Sequence, residues 1–492
     1  MYNSYGGYDE NPDDQKEEEE EEEEESDDEE EEEEEEYDYA IELYRAIEAD
    51  ERTVLRGLLD NGADAGLKPF EDKSRALLHI CCDKGHIECA RILLDYGAAI
   101  GVTDEWGMTP LMYCMMRQDM GMAKMLLSRD ADIMHCQDIE GRSALHMAVE
   151  TGQPEFVEFL LKNSANVNSI TDNGITPLMV LCMNSNIENK VTLGRMLIEA
   201  GADVSMRDYK CKRTALHNAV INGNFELFEI LLCAGSNPNL LDVTGRSPLT
   251  NLICRHARIS DRQPDVSDDV LAAAIQLIQA GTDLNNNMCE YSNPLVNAAF
   301  VRASQLVRLV LDNGADPDIT FRSGTTALLV SVMKHDMPCI RALLQWSCRL
   351  DMKGRVAFNK YDELVLDPME LAIEKGFWDV VVALLSAGYN VSRLPYLMQG
   401  YTGNAPKTLT VNPEMHSFLQ FRARHPLLLF HSAILAVFKA LHRNTNVKLD
   451  ELPIPEVMKR FMRKGEFCEP GNEGHIKDVD TLKFYFKAMA FV

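Results

Sequence analysis

Long uninterrupted apolar runs are missing from this chain. The longest, Pro426 to Phe438, is broken by His431 and Ser432 and is shorter than the ~20 residues a bilayer-spanning helix needs. No membrane partner is therefore expected. No charged-then-apolar leader opens the chain, which argues against secretion. The 13 cysteines lack the dense spacing of a disulfide scaffold. Those inside helix-forming runs (Cys81, Cys82, Cys114, Cys182, Cys233 and Cys254) read as small buried apolar groups in a reducing compartment. A cytoplasmic or nuclear location is the consequence. Signatures of chemistry are also missing: no Gly-rich phosphate loop followed by Lys-Ser/Thr, no Gly-x-Ser-x-Gly elbow and no His-Glu-x-x-His. We expect no enzyme, no cofactor and no metal site.

Positive charge is scarce, with 48 Lys and Arg against 79 Asp and Glu and a formal net charge of -31. Most of that imbalance sits at the start. Residues 1–38 hold 24 acidic residues and one Lys, and every residue from Glu17 to Glu36 except Ser26 is acidic. Like charges at this density cannot collapse onto a core, so 1–38 is expected to be a disordered acidic arm. It reads either as a solubilising tail or as an electrostatic lure for basic proteins. The remaining chain carries only -8, and nucleic acid is not an expected partner.

What is present is a repeat. Asp138 to Asn168 contains a Gly turn, a short apolar run (Leu145, Met147, Ala148, Val149), a Thr-Gly-Gln break and a second run (Phe156, Val157, Phe159, Leu160, Leu161). Each run is an amphipathic helix too short to stand alone, so the pair needs neighbours on both sides. The leucine opening the first helix recurs at Leu78, Leu111, Leu145, Leu178, Leu216, Leu249, Leu295 and Leu328, at intervals of 33, 34, 33, 38, 33, 46 and 33. A tetrapeptide accompanies it: Thr109-Pro110-Leu111-Met112, Ser143-Ala144-Leu145-His146, Thr176-Pro177-Leu178-Met179, Thr214-Ala215-Leu216-His217 and Ser247-Pro248-Leu249-Thr250. A Leu-Leu-x-x-Gly-Ala-Asp ending follows in phase at Leu58 to Asp64, Leu93 to Ala98, Leu197 to Asp203, Leu231 to Asn237 and Leu311 to Asp316. With these motifs the chain resembles an ankyrin-repeat protein. The resemblance implies an all-α solenoid of about ten helix pairs over residues 39–394. Arg255 to Asp269 and Gly354 to Leu366 lengthen two repeats and are expected to form polar loops beside the stack.

Such arrays hold extended partners on the concave surface lined by turns and first helices. By phase, the residue before each tetrapeptide projects there: Met108, Arg142, Ile175, Arg213 and Arg246, with Trp106 in the same turn as Met108. These six form the expected target-binding face, an aromatic and cationic stripe. The other reading is that Trp106 packs on a neighbouring turn and the arginines are ordinary solvated charges. His79, His146 and His217 share one repeat phase without Cys, Asp or Glu at ligand spacing. We read them as hydrogen-bonding ties between turns, not as a metal or catalytic set.

After Leu394 the pattern stops. Residues 395–416 read as a linker, since Met398 to Pro413 is rich in Gly, Thr, Asn and Pro. Pro426 to Leu441 is apolar nearly all round a helix and must be covered on more than one side. Leu452-Pro453-Ile454-Pro455 breaks the chain, and Glu456 to Lys464 returns as a short helix with Val457, Met458, Phe461 and Met462 on one side. This layout, over 417–465, resembles a SOCS box, and with the repeats the chain is similar to the ankyrin-repeat and SOCS-box family of ubiquitin-ligase substrate receptors. The resemblance implies that Leu427 and Leu435 dock in elongin C of an elongin B/C pair, with His431 where the family carries Cys. A register one residue later places Leu428, Ser432 and Ala436 in those positions. It also implies that Leu452, Pro453, Ile454 and Pro455 contact a cullin. The expected function is a substrate-recognition adaptor of an elongin–cullin ligase; the alternative is an interaction scaffold whose terminal helices only cap the stack. The tail, 466–492, is expected to pack back as a further helix.

Overall fold

The computed structural model describes residues 39–424, apart from 70–74, 131, 260–265, 287–291, 322, 360–361 and 398–404. The acidic arm, the proposed elongin contacts Leu427, Leu428, His431 and Leu435, the proposed cullin contacts Leu452, Pro453, Ile454 and Pro455, and the tail lie outside the described residues. The chain divides into two units: residues up to Lys210 together with Glu229–Ala234, and Cys211–Phe228 with everything from Gly235 onward.

The first unit contains five helix pairs: α1 (39–48) with α2 (Arg52–Asp60), α3 (Leu77–Lys84) with α4 (Ile87–Asp95), α5 (Pro110–Arg117) with α6 (Met120–Arg129), α7 (Ala144–Glu150) with α8 (Pro154–Lys162), and α9 (Pro177–Met183) with α10 (Lys190–Glu199). The short helices have local causes. Thr109 and Thr176 cap their helices by accepting the N–H of Met112 and Met179 at 3.4 and 3.2 Å, with Pro following at the first helical position. Gly85 and Gln118 end α3 and α5 in the left-handed conformation. At seven to ten residues, helices of this length are marginal in water and persist by packing. First helices stack in order, α3 on α5, α5 on α7 and α7 on α9. The leucine of each repeat, Leu78, Leu111, Leu145 and Leu178, is no more than 2% exposed, and each such burial contributes roughly 2 kcal/mol.

The second unit repeats the plan with α11 (Ala215–Asn222), α12 (Phe225–Cys233, whose last five residues fall in the first unit), α13 (Pro248–Ile259), α14 (Asp268–Gln279), α15 (Pro294–Phe300), α16 (Ser304–Asp312), α17 (Ala327–Met333), α18 (Met337–Gln345), α19 (Pro368–Lys375) and α20 (Trp378–Ser386). Leu216, Leu249, Leu295 and Leu328 are again buried. Side-chain amides staple successive repeats. Asn239 accepts the Asp283 N–H at 2.7 Å and donates to the Gly281 carbonyl at 2.9 Å; Asn285 does the same with Asp316 and Gly314 at 2.8 and 3.4 Å. In the first unit Asn168 holds Asp203 and Gly201 at 2.8 and 3.2 Å. Each such Asn satisfies main-chain groups that a short loop would otherwise leave to water.

Three expectations need correcting. Gly354 to Leu366 is not a loop: it contains an antiparallel hairpin, β1 (Gly354–Asn359) and β2 (Asp362–Leu366), and along β1 the buried Gly354 and Val356 alternate with the exposed Arg355 and Ala357. The start of the other insertion, Arg255 to Ile259, continues α13. The stretch 395–416 is not a linker over its described residues. Val391–Arg393 and Pro395–Leu397 form 3₁₀ turns, followed by α21 (Lys407–Val411) and α22 (Pro413–Arg424). α21 packs on α19, and α22 packs on α21 and the turns, burying Leu409, Met415 and Leu419. The Thr408 hydroxyl donates to the Ile373 carbonyl. The last repeat thereby acquires its cover.

Candidate protein-binding surface

Between repeats the chain projects as a tight finger whose shape follows from one acid and one glycine. Asp104 Oδ1 accepts the N–H of Trp106 and Met108 at 2.9 and 2.8 Å; Asp138 takes Glu140 and Arg142 at 3.0 and 2.7 Å; Asp242 takes Thr244 and Arg246 at 2.8 and 3.0 Å. Gly107 and Gly141 sit at φ +71° and +76°, and a Cβ on Gly141 would lie 2.6 Å from the Asp172 nitrogen. That space is needed because neighbouring fingers touch: Ile139 N–H bonds the Trp106 carbonyl at 3.0 Å, Asp172 the Glu140 carbonyl at 3.0 Å, and Tyr209 the Asn173 carbonyl at 2.8 Å. In the second unit Val243 bonds the Cys211 carbonyl at 2.8 Å and Arg355 the Ser323 carbonyl at 3.1 Å.

The histidines tie each first helix to the next finger. Nδ1 of His79, His146 and His217 accepts the N–H of Ala76, Ser143 and Thr214 at 3.2, 3.1 and 3.2 Å. The proton must then be on Nε2, which donates to the carbonyls of Met108, Ile175 and Arg246 at 2.9, 3.0 and 3.3 Å. Burial pushes all three below the ordinary imidazole value, His217 to about 4. With both ring nitrogens occupied they are ties, as their shared phase suggested. Among the described residues no group of three or more His, Cys, Asp or Glu is placed to hold a metal ion. Cys81, Cys82, Cys114 and Cys182 are buried, but Cys233 is exposed and Cys254 half-buried, so these last two are not core groups.

The six residues of the expected stripe fare differently. Trp106 is 48% exposed at its finger tip, next to Ile139 at 62%. Met108 is buried, contrary to its expected outward projection, because it stands where the finger returns to the helix, its N–H held by Asp104 and its carbonyl by His79. Ile175 is half-buried at the equivalent place. Arg142 is not an open cation: its Nε lies 2.7 Å from Oδ2 of Asp138, whose side chain is 1% exposed, and 3.5 Å from Glu140. Arg213 Nε stands 3.9 Å from Asp242, and the carbonyl of half-buried Arg246 receives His217. Trp106, Met108, Arg142 and Ile175 belong to the first unit, Arg213 and Arg246 to the second.

A further set was missed. Met116 and Met183 in the first unit, and Phe300 and Met333 in the second, are 56%, 47%, 55% and 38% exposed at the ends of first helices. All stand five residues after the repeat leucine, so aligning the repeats by phase would have found them. Lys334 Nζ lies 4.4 Å over the Phe300 ring. Exposed aromatic and Met side chains of this kind are the composition of contact surfaces between proteins.

Acid-and-glycine fingers, capped short helix pairs and a buried leucine every repeat define ankyrin repeats, a fold that serves protein–protein interaction. Family models described as ankyrin repeats (3 copies) match residues 43–135 and 132–208, and one described as ankyrin repeats (many copies) matches 187–232. The chain is similar to the mouse and human proteins named Ankyrin repeat and SOCS box protein 16, at 34% and 32% identity over 205 residues, 41% of this chain and 44% of each relative. It is also similar to the E3 ubiquitin-protein ligase KEG of Arabidopsis thaliana, at 26% identity over 61% of this chain and 18% of that protein. The chain thus spans less than half the length of these curated relatives. Among solved structures, the ankyrin repeat domain of Bcl-3 aligns at 25% identity with a TM-score of 0.42, over 49% of this chain and 99% of that one.

Proposed function

We propose that this chain is a substrate-recognition adaptor of an elongin–cullin ubiquitin ligase. Its repeats hold a target protein, and the segment from Pro426 to Pro455 attaches that target to the ligase. The chain supplies proximity and no chemistry of its own. A cytoplasmic or nuclear location goes with this reading.

The observation that carries the proposal concerns the end of the array. α21 and α22 already cover the last repeat, so capping is not a task left for Pro426 to Leu441. An apolar helix with no such task needs another partner, and the order of Pro426-Leu427 and Leu452-Pro453-Ile454-Pro455 is that of a SOCS box. The names of the mouse and human relatives support the same assignment. For the target, the paired tips Trp106 and Ile139 and the helix ends Met116 and Met183 are the strongest anchors of the first unit.

The full chain is co-expressed with elongins B and C and run on a sizing column. A stable ternary complex is expected, lost in Leu427→Asp or Leu428→Asp, whichever register is used. No co-elution under any condition leaves the interaction scaffold as the function. In the second arm, Trp106→Asp with Ile139→Asp should abolish ubiquitination of bound targets while elongin binding persists.

A further inference from the structure

We propose that β2 is a self-association edge: two copies of this chain pair their Asp362–Leu366 strands antiparallel about a two-fold axis centred on Leu364. The hairpin pairs Arg355 with Val365, Val356 with Leu364 and Ala357 with Glu363. The Arg355 N–H is committed elsewhere, to the Ser323 carbonyl at 3.1 Å. Arg355 and Val365 are therefore a non-hydrogen-bonded pair of the ladder, and the N–H and C=O of Val365 point away from β1. Two residues back, Glu363 has the same orientation. Among the described residues nothing pairs with these outward groups. A solvent-facing row of unpaired donors and acceptors is a template for another strand.

Register and charge both fit a second copy of the same strand. The outward residues Glu363 and Val365 flank Leu364 symmetrically, so a second β2 placed antiparallel sets Glu363 against Val365 of the other copy twice. That forms four main-chain hydrogen bonds. Leu364, 42% exposed, then meets Leu364 of the second copy on one face. On the other face a row runs across the strands: Arg355, then Val365, then Glu363 of the second copy. Strands about 4.8 Å apart put Arg355 and that Glu363 about 10 Å apart at the backbone, a span their extended side chains close over Val365. Both Arg355 and Glu363 are exposed and neither has an ion-pair partner among the described residues. Val365, 58% exposed, is covered by the pair. The contact is a short one, so the dimer is concentration-dependent.

The test is sedimentation velocity on the full chain from micromolar to near-millimolar concentration at 0.15 M salt. A monomer–dimer equilibrium is expected. Val365→Pro removes only an outward donor and leaves the β1 ladder intact; it should shift the dissociation constant upward at least tenfold with an unchanged melting temperature. Leu364→Lys sets two cations against each other and should do the same. Arg355→Glu and Glu363→Arg should each weaken association, and the double variant should restore it. A wild-type chain that stays monomeric throughout overturns the proposal, as does a dimer indifferent to Val365→Pro and Leu364→Lys. An extended segment of another protein on this edge would give the first of these results.

Discussion

Tyr113 donates its hydroxyl to Oδ2 of Asp104 at 2.8 Å, while Oδ1 of the same carboxylate holds the finger N–H groups of Trp106 and Met108. The buried finger acids Asp138 and Asp242 also find a second donor, though not the same one. Arg142 serves Asp138, and Asn251, nine residues on like Tyr113, serves Asp242 at 3.1 Å. The repeats keep the geometry of the acid and exchange the group that completes it.

Tyr113→Phe therefore leaves a buried carboxylate oxygen without its donor. Burial, with Asp104 beside it, pushes the Tyr113 hydroxyl up to about 12, so the phenol is protonated and donating throughout the neutral range. The expected loss is about 1–3 kcal/mol, read as a lower urea midpoint with unchanged slope. A midpoint within error of wild type would mean that water replaces the hydroxyl without cost.

Acid should loosen the array before the carboxylates titrate. His79, His146 and His217 have folded values below the ordinary 6.5, and His217 falls to about 4. Between those limits the unfolded chain binds more protons than the folded one, so stability is full above pH 6.5 and is lost as pH falls toward 4. Urea midpoints measured from pH 7.5 down to 4.5 should decline, and His217→Gln should flatten part of the slope. A profile level across that window would contradict the assigned tautomers.

Two glycines with similar backbones should respond unequally to Ala. Gly141 and Gly201 lie at φ +76° and +90°, but a Cβ on Gly201 meets nothing within 4 Å. Gly201→Ala should cost about 1 kcal/mol of backbone strain, and Gly141→Ala at least 2 kcal/mol more, because the Asp172 main chain must move. Equal costs in thermal unfolding would show that the finger contact yields easily.

Much of this molecule was legible in the sequence because its determinants are local and repeated. Leu78 through Leu328 announce the buried position of each first helix, Thr-Pro marks where it begins, and the shared phase of the three histidines points to a structural tie. A short helix pair cannot shield its own apolar side, so a 33-residue period leaves few folds but a stack.

What the repeats place beside each residue was decided only in three dimensions. Met108 turns inward and Arg142 is held by Asp138, although the period gives both the same address. Residues 395–416 read as a linker and those from 417 as a terminal module, yet Leu409 and Leu419 are buried in helices that pack at the end of the last repeat. Periodicity records which side chains are alike. Whether a given one is open, paired or covered depends on its neighbour in the next repeat, and that neighbour is chosen by packing.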